Sequence, residues 1–451
     1  MDMDHREHGG RVLPFEVTHR LVLSIALPMT LGFMTTPLLG LADTAVVGHL
    51  GQPDALAGLA IGAMLFDLLF ASFNFLRAST TGLTAQALGR RDQHEQQTVF
   101  WRALLSALGC GVMIVLLSPV LLWLGIKLMC PEGGVAEATR TYFSIRVLSG
   151  PAALANYAIL GFVLGRGQGR IGLLLQTVIN GVNIILALVL GLWLGWGVAG
   201  VAWGTLIGEA AGTLTGLTIV LSGFAGEARP TRAELLSPAK LKQLFALNRD
   251  ILIRTFVLLG AFTLMTRIGN SFGAVTLAAN AVLMNFFLLS ACYLDGLANA
   301  AEQITGRSIG ANYRPAFDRG LKLTSLWSFG LALATTLFFL IAGPALIRLL
   351  TTSEEVRAAA ANYLPWAAIA GLTGVLAFLL DGVFIGATWS SAMRNRMLMS
   401  FTGYLLALAV FVPTLGNHGL WLAVNAFLLF RGIFLVMGLK KRADQTFLSA
   451  Q

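Results

Sequence analysis

Charge is scarce in this chain: Asp, Glu, Lys and Arg make up 12% of its 451 residues, against 56% hydrophobic ones. A soluble domain carries about a quarter of its residues as charges, so an ordinary water-facing surface is excluded. Cysteine is nearly absent. Cys110, Cys130 and Cys292 stand far apart, with no CxxC pair and no histidine at ligand spacing, which argues against a disulfide framework or a zinc site. Acids are fewer than bases, 22 against 31, but the excess of +9 gathers at the ends of apolar blocks and forms no continuous basic face. Nucleic acid is therefore not expected as a partner. The sequence holds no GxxxxGK followed by Ser or Thr and no HExxH, so neither ATP hydrolysis by the chain itself nor that type of metalloprotease is expected. Gly269-Asn270-Ser271-Phe272-Gly273 matches GxSxG, yet it falls in a short turn expected between two helices and not at a strand-to-helix elbow. Gly165, Gly167 and Gly169, with Arg166 and Arg170, follow no strand and so do not make a phosphate loop. No enzyme, cofactor or resident metal is expected.

What the chain does have is long apolar blocks, such as Leu104 to Leu124, separated by short polar stretches. Such blocks match the roughly 20 residues a helix needs to cross about 30 Å of hydrocarbon. The pattern predicts an all-α integral membrane protein with helices at 17–44, 54–78, 97–125, 137–164, 170–193, 197–223, 246–269, 274–299, 318–350, 357–387, 394–413 and 418–439. Basic residues alternate between the loops. Arg6, Arg11 and Arg20 precede the first helix, Arg90 and Arg91 follow the second, and Arg166 and Arg170 the fourth. Arg229, Arg232, Lys240, Lys242 and Arg249 lie between the sixth and seventh, while Lys440, Lys441 and Arg442 follow the last. The turns at Trp193–Gly197, Gly269–Ala274 and Thr414–Gly419 carry no Lys or Arg, so both termini are expected in the cytoplasm. Met1 to Glu16 is polar, and no short apolar segment with a cleavage site precedes the first block, so no removable signal peptide is expected.

A repeat underlies the twelve helices. Displacing the sequence by 221 positions lays Leu56 on Leu277, Phe66 on Phe287, Thr84 on Thr305, Gly89 on Gly310, Tyr142 on Tyr363, Gly161 on Gly382, Gly165 on Gly386 and Gly195 on Gly416. One displacement sustained over so many positions indicates two homologous six-helix halves of the same orientation. The expected organisation is a 1–16 cytoplasmic segment, a 17–223 N-lobe, a 224–245 cytoplasmic linker, a 246–439 C-lobe and a 440–451 tail. By analogy with other repeat-built transporters the two bundles are expected to flank a central cleft used for alternating access.

Ionisable groups inside such helices cost roughly 2.5 to 3.5 kcal/mol each near the bilayer centre, so they usually face a wet cavity or a partner. Asp43, Asp67, Glu209, Asp295, Glu302 and Asp381 are of this kind. A carboxylate shielded from water can be contested by a proton and a cationic substrate, and that competition is antiport. Asp43, in a first helix that also holds Pro28 and Pro37, is the candidate coupling residue; the plainer alternative is a helix-end cap at the interface. Asn180 and Asn183 share a face of the fifth helix and either line a cavity facing Asp43 or bond a neighbouring helix, the simpler reading. Asp295, Asn299 and Glu302 share a face of the eighth helix and, with Asp381, make either a second cation site or a structural network with Arg254 or Arg267. Asp67 and Glu209 are left as cavity or packing groups.

Several stretches together carry a resemblance: Leu41-Ala42-Asp43-Thr44-Ala45-Val46-Val47-Gly48, Arg77 to Gln86, Asn248-Arg249-Asp250-Ile251, Leu294-Asp295-Gly296-Leu297-Ala298 and Leu380-Asp381-Gly382. In these the chain resembles the multidrug and toxic compound extrusion (MATE) family, in its DNA-damage-inducible F-like branch, nearly end to end. The resemblance implies a proton- or sodium-driven exporter of hydrophobic, often cationic small organic compounds. It makes Asp43 the first-helix acid, Asn180 a polar contact of it and Pro28 the helix-one bend. One departure is that Asn183-Ile184-Ile185-Leu186 is followed by Ala187, where relatives often place an Asp. The seventh helix also lacks the buried glutamate of some sodium-coupled relatives, which favours protons over sodium. The expectation is therefore a proton-coupled multidrug antiporter, monomeric among membrane lipids, in a bacterial-type inner membrane. A sodium-coupled exporter remains the nearer alternative, and a lipid-linked precursor flippase, needing basic groups such as Arg146, Arg254 and Arg267, the other.

Overall fold

The structure is a computed structural model and describes residues 12–129, 132–224 and 228–448. Arg6, Arg11 and Cys130 lie outside the described residues, while Cys110 and Cys292 are free thiols. Among the described residues there are twelve helical spans long and apolar enough to cross a membrane. They are α1 (His19–Gly48), α2 (Pro53–Gly89), α3 (Gln93–Leu116), α4 (Gly133–Gly165), α5 (Gly169–Trp193), α6 (Gly197–Ser222), α7 (Arg232–Ser271), α8 (Ala274–Gly310), α9 (Arg314–Leu350), α10 (Glu354–Gly386), α11 (Ser390–Leu415) and α12 (Asn417–Leu448). Their outward sides stay apolar. On α9 Leu326, Leu333, Leu337 and Ile341 follow one another at helical spacing with no protein over them, a face suited to lipid chains.

The spans agree with the sequence reading apart from local breaks and ends. The third expected helix, 97–125, is two: α3 stops at Leu116 and Ser118–Met129 follows as a short apolar helix with Pro119 in its first turn, where no amide donor is needed. Three spans are not uniform α-helix. α2 is interrupted after Ala71 and resumes at Phe75, α4 tightens to a 3-10 turn at Val147–Ser149, and α5 widens to a π-helix over Ala187–Trp193. The expected linker is partly helical, since Arg232–Leu235 forms a turn and a continuous helix begins at Pro238. Thr231 and Glu234 close a capping box at its start, Arg102 of α3 donates to the Glu234 carbonyl at 2.8 Å, and Lys240 pairs with Glu95 at 3.2 Å. This segment is thus fastened to α3.

The chain divides into two compact units. One comprises Leu31–Ala87 with Asp92–Leu244; the other takes Phe245 onward together with the chain up to Thr30 and Leu88–Arg91. They are called the N-terminal and C-terminal units below. α1 therefore contributes to both. Its first half packs Val22, Ile25 and Ala26 against Tyr293, Leu294, Leu297 and Ala300 of α8, and Gly296, lacking a side chain, admits Ala26 and Thr30. Its second half packs Val46 and Val47 with Leu59, Tyr142, Phe143 and Val201 in the N-terminal unit.

The repeat is written in the packing of each unit. In the N-terminal unit, side chains at Gly161 and Gly165 of α4 would collide with the carbonyls of Arg77 and Thr81 of α2. In the C-terminal unit the same holds for Gly382 and Gly386 of α10 against Ala298 and Glu302 of α8, every partner displaced by 221. The turns repeat as well: left-handed residues stand at Arg91 and Asn312, at Gly167 and Thr388, and at Gly195 and Gly416. In the N-terminal unit a further stripe, Gly200, Gly204, Gly208, Gly212 and Gly216, runs along α6 one turn apart and brings most of that face onto α5.

Candidate functional site

The N-terminal unit gathers charges around one half-buried arginine. Arg146 ends the first part of α4, and one turn before it Tyr142 lies fully buried against α2. Gly62 makes that possible, because any side chain there would strike the Tyr142 ring. The Tyr142 hydroxyl accepts a hydrogen bond from Arg146 Nη1, and the guanidinium lies over the rings of Phe66 at 5.0 Å and Tyr142 at 5.5 Å. Cation–π contact of this kind is stronger where water is excluded. Buried Asp43 of α1, exposed Asp67 of α2 and half-buried Glu209 of α6 are within Coulomb reach of this guanidinium. Glu209 Oε2 accepts from Asn156 Nδ2 at 2.6 Å, while Thr213 donates to Asn156 Oδ1 at 3.0 Å.

Asp43 stands out within this group. It is 8% exposed, five residues before the end of α1, and its Oδ1 is buried with no hydrogen-bond partner among the described residues. A buried carboxylate oxygen left without a donor is costly, on the order of 1–3 kcal/mol or more, and so marks a place where a proton, cation or water can bind.

The two asparagines of α5 have other attachments. Asn180 Nδ2 donates to Thr35 of α1 at 2.6 Å, and Asn183 Nδ2 to Thr205 of α6 at 3.1 Å. Thr35 precedes Asp43 by eight residues, about 12 Å along a helix, so Asn180 grips α1 away from the acid. Both act as interhelical bonds, with Asn183 Oδ1 left buried and unpaired. Pro28 belongs to the half of α1 in the C-terminal unit, and α1 continues as helix through Pro28 and Pro37.

In the C-terminal unit Asp381 and Asp295 are both within Coulomb reach of Arg431 of α12. Asp381, 6% exposed, accepts on the same Oδ2 from Arg254 of α7 and, at 2.6 Å, from Arg431 of α12. Arg431, 3% exposed, also lies over Phe378 and Phe427. Glu302 is buried, whereas Asp295, two turns earlier on α8, is exposed, and Asn299 Nδ2 bonds the Asp295 carbonyl at 2.7 Å. Asp381 is thus in the structural network with Arg254, one of the alternatives above, and Arg267 is exposed. A cation binding Asp381 Oδ2 has two guanidinium groups to displace.

Arg146, Tyr142, Asn156 and Glu209 were not grouped with Asp43 in the sequence. A signal was present, since Tyr142 and Arg146 are one helical turn apart, as are Glu209 and Thr213, and each pair lies within an apolar span. What the one-dimensional pattern lacks is the pairing of α4 with α1, α2 and α6.

Comparison with known proteins agrees with this architecture. A family model described as MatE matches twice, at residues 28–189 and 251–412, close to the displacement found within the sequence. The chain is 40% identical over 422 residues to DNA damage-inducible protein F of Escherichia coli strain K12, covering 91% of this chain and 90% of that one. It is 25% identical to a probable multidrug resistance protein NorM of Chromobacterium violaceum, over 92% of each chain. The fold superposes on a MOP superfamily transporter from Pyrococcus furiosus with a TM-score of 0.85 at 19% identity, covering 95% of this chain and 96% of that one. The protein belongs to the MATE family of multidrug and toxic compound efflux transporters, carriers of small organic substrates, and is a multi-pass protein of the inner membrane.

Proposed function

We propose that this transporter is a proton-coupled antiporter of hydrophobic, often cationic organic compounds and that Asp43 is its coupling acid. The observation that carries the reading is the buried Oδ1 of Asp43, without a hydrogen-bond partner among the described residues, within Coulomb reach of a guanidinium that Tyr142 and Phe66 hold. A carboxylate in that state takes either a proton or the positive end of a substrate, and the two exclude each other. Substrate loads from the cytoplasm on the ionised acid; a proton arriving from outside neutralises it, and the substrate leaves. Bending of α1 at Pro28 or Pro37 is the proposed transmission, since each proline removes a backbone donor from the helix. Both termini are proposed to be cytoplasmic, from the alternation of basic loops.

Sodium coupling has less support: Asp381, the C-terminal acid proposed for it with Asp295, Asn299 and Glu302, already holds two arginines. The flippase reading also loses support, because Arg254 is committed to Asp381 and Arg146 sits among carboxylates that repel a phosphate. The test is flux in proteoliposomes with proton and sodium gradients imposed separately, for wild type and Asp43→Asn. The expected outcome is proton-driven movement of substrate that Asp43→Asn abolishes, with no response to sodium. Proton-driven flux that survives in Asp43→Asn removes Asp43 from the mechanism.

A further inference from the structure

Arg146 poses a question that coupling at Asp43 alone does not answer. An arginine partly shielded from water near acids normally bonds one of them directly, as Arg254 and Arg431 do with Asp381. Arg146 instead has its Nη1 on the hydroxyl of Tyr142 and its plane over Phe66, and its Nε is buried with no acceptor among the described residues. Asp43 Oδ1, in the same unit and within Coulomb reach, is buried with no donor. The site therefore keeps a cation close to its acid and uncommitted to it. Guanidinium does not lose its proton in proteins, so this positive charge is permanent.

We propose that Arg146 is a tethered counter-ion that repels the positive guest of Asp43, and so sets both how tightly the site holds organic cations and where in pH the proton takes over. The proposal rests on Asp43 being the coupling acid. Two positive guests compete for Asp43, and the fixed charge of Arg146 raises the energy of both when they are bound. Without it Asp43 would hold a cation more firmly. The cradle is what makes this work: Tyr142 and Phe66 keep the guanidinium from closing a direct bridge that would occupy Asp43. The groups within Coulomb reach of it are Asp43 of α1, Asp67 of α2, Tyr142 and Tyr157 of α4 and Glu209 of α6, and Arg77 of α2 acts on Tyr157.

The experiment uses the full-length protein in proteoliposomes, with tetraphenylphosphonium as the probe. Its binding and proton-driven counterflow are measured over a pH series for wild type, Asp43→Asn, Arg146→Gln, Arg146→Lys and Tyr142→Phe. Arg146→Gln should bind the probe on the order of tenfold more tightly and turn over more slowly, and its midpoint for displacement by protons should move up by about one pH unit. Arg146→Lys keeps the charge and should stay near wild type. Tyr142→Phe frees the guanidinium to reach Asp43 and should weaken probe binding. Wild-type affinity and midpoint in Arg146→Gln overturn the proposal, as does a Lys variant that behaves like the Gln variant. If Arg146→Gln fails to elute as a folded monomer, unchanged probe affinity in Tyr142→Phe overturns it instead. Asp43→Asn separates the two levels: if that variant keeps the wild-type pH dependence, the coupling assignment itself is at fault, whatever the arginine variants do. A wild-type protein that binds no tetraphenylphosphonium at any pH also counts against the proposal.

Discussion

Where Gly161 lies against the backbone of Arg77, the preceding residue is Leu160; where Gly382 lies against Ala298, the preceding residue is Asp381, bonded to two arginines. The same displacement takes Asp67 to Leu288 and Arg146 to Ala367. Glycines and left-handed turns have thus been kept in both units, while the charges have not. Close helix packing depends on the absence of a side chain, which few residue types can supply, so that part of a duplicated scaffold resists change. Charges inside the bundle are free to differ once each unit has found its own way to satisfy them. The C-terminal unit closes Asp381 within an Arg–Asp–Arg group and ties Asn280, Asn417 and Trp421 in a ring of amide and indole bonds of 2.8 to 2.9 Å. The N-terminal unit leaves its acid open. A closed network holds helices in place, and an open acid can exchange a guest.

The largest expected effect breaks the closed side. Asp381→Ala leaves Arg254 and Arg431 buried without their shared acceptor, and removing one partner from a buried charge group costs about 3–5 kcal/mol. Thermal unfolding in detergent should show a clear fall in midpoint. Asp43→Asn, by contrast, removes a charge whose Oδ1 has no partner and should leave the midpoint near wild type. Equal destabilisation by the two variants would erase the distinction between a structural and an exchanging acid.

The shared scaffold is tested by matched substitutions. Gly161→Ala and Gly382→Ala each push a methyl group into a facing carbonyl, and overpacking of this kind costs about 1–3 kcal/mol. The two should be alike in unfolding midpoint, because the contacts are alike. Their effects on transport should differ, since only the first lies in the unit that holds Asp43. Gly62→Ala should have a smaller effect on stability and a selective one on transport, since it displaces the Tyr142 ring and with it the guanidinium of Arg146.

Much of this was legible in the sequence. Twelve spans follow from hydropathy, and the duplication from a constant displacement of glycines and aromatics, because bilayer thickness and helix packing act on local, one-dimensional properties. Asp43 could be singled out for the same reason: an acid in an apolar block is conspicuous wherever its neighbours lie. Its surroundings could not. Asn180 and Asn183 share a face of α5, but only the packing of α5 between α1 and α6 decides that one meets Thr35 and the other Thr205. Likewise, Asp295, Glu302 and Asp381 look alike as acids in spans, and α7 and α12, distant in sequence, supply the arginines that set Asp381 apart. The break at Leu117 is marked by Ser118-Pro119 and not by hydropathy, and the π-helix at Ala187–Trp193, a change of hydrogen-bond register within an apolar stretch, leaves no trace in hydropathy.

The smallest predicted effect concerns that last asparagine pair. If Asn180 is a bond between α5 and α1, replacing it with Leu should cost only about 0.6 kcal/mol, the average for interhelical hydrogen bonds in a membrane, and a little more if Thr35 is left unsatisfied. Thr35 has a second arrangement available, because its hydroxyl already donates to the Gly32 carbonyl at 2.6 Å. The pH dependence of transport should then be that of wild type, since the bond lies about two helical turns from Asp43. A shifted pH profile in Asn180→Leu, measured beside Asp43→Asn, would instead bring Asn180 into the exchanging site and extend the open side of the N-terminal unit from α1 to α5.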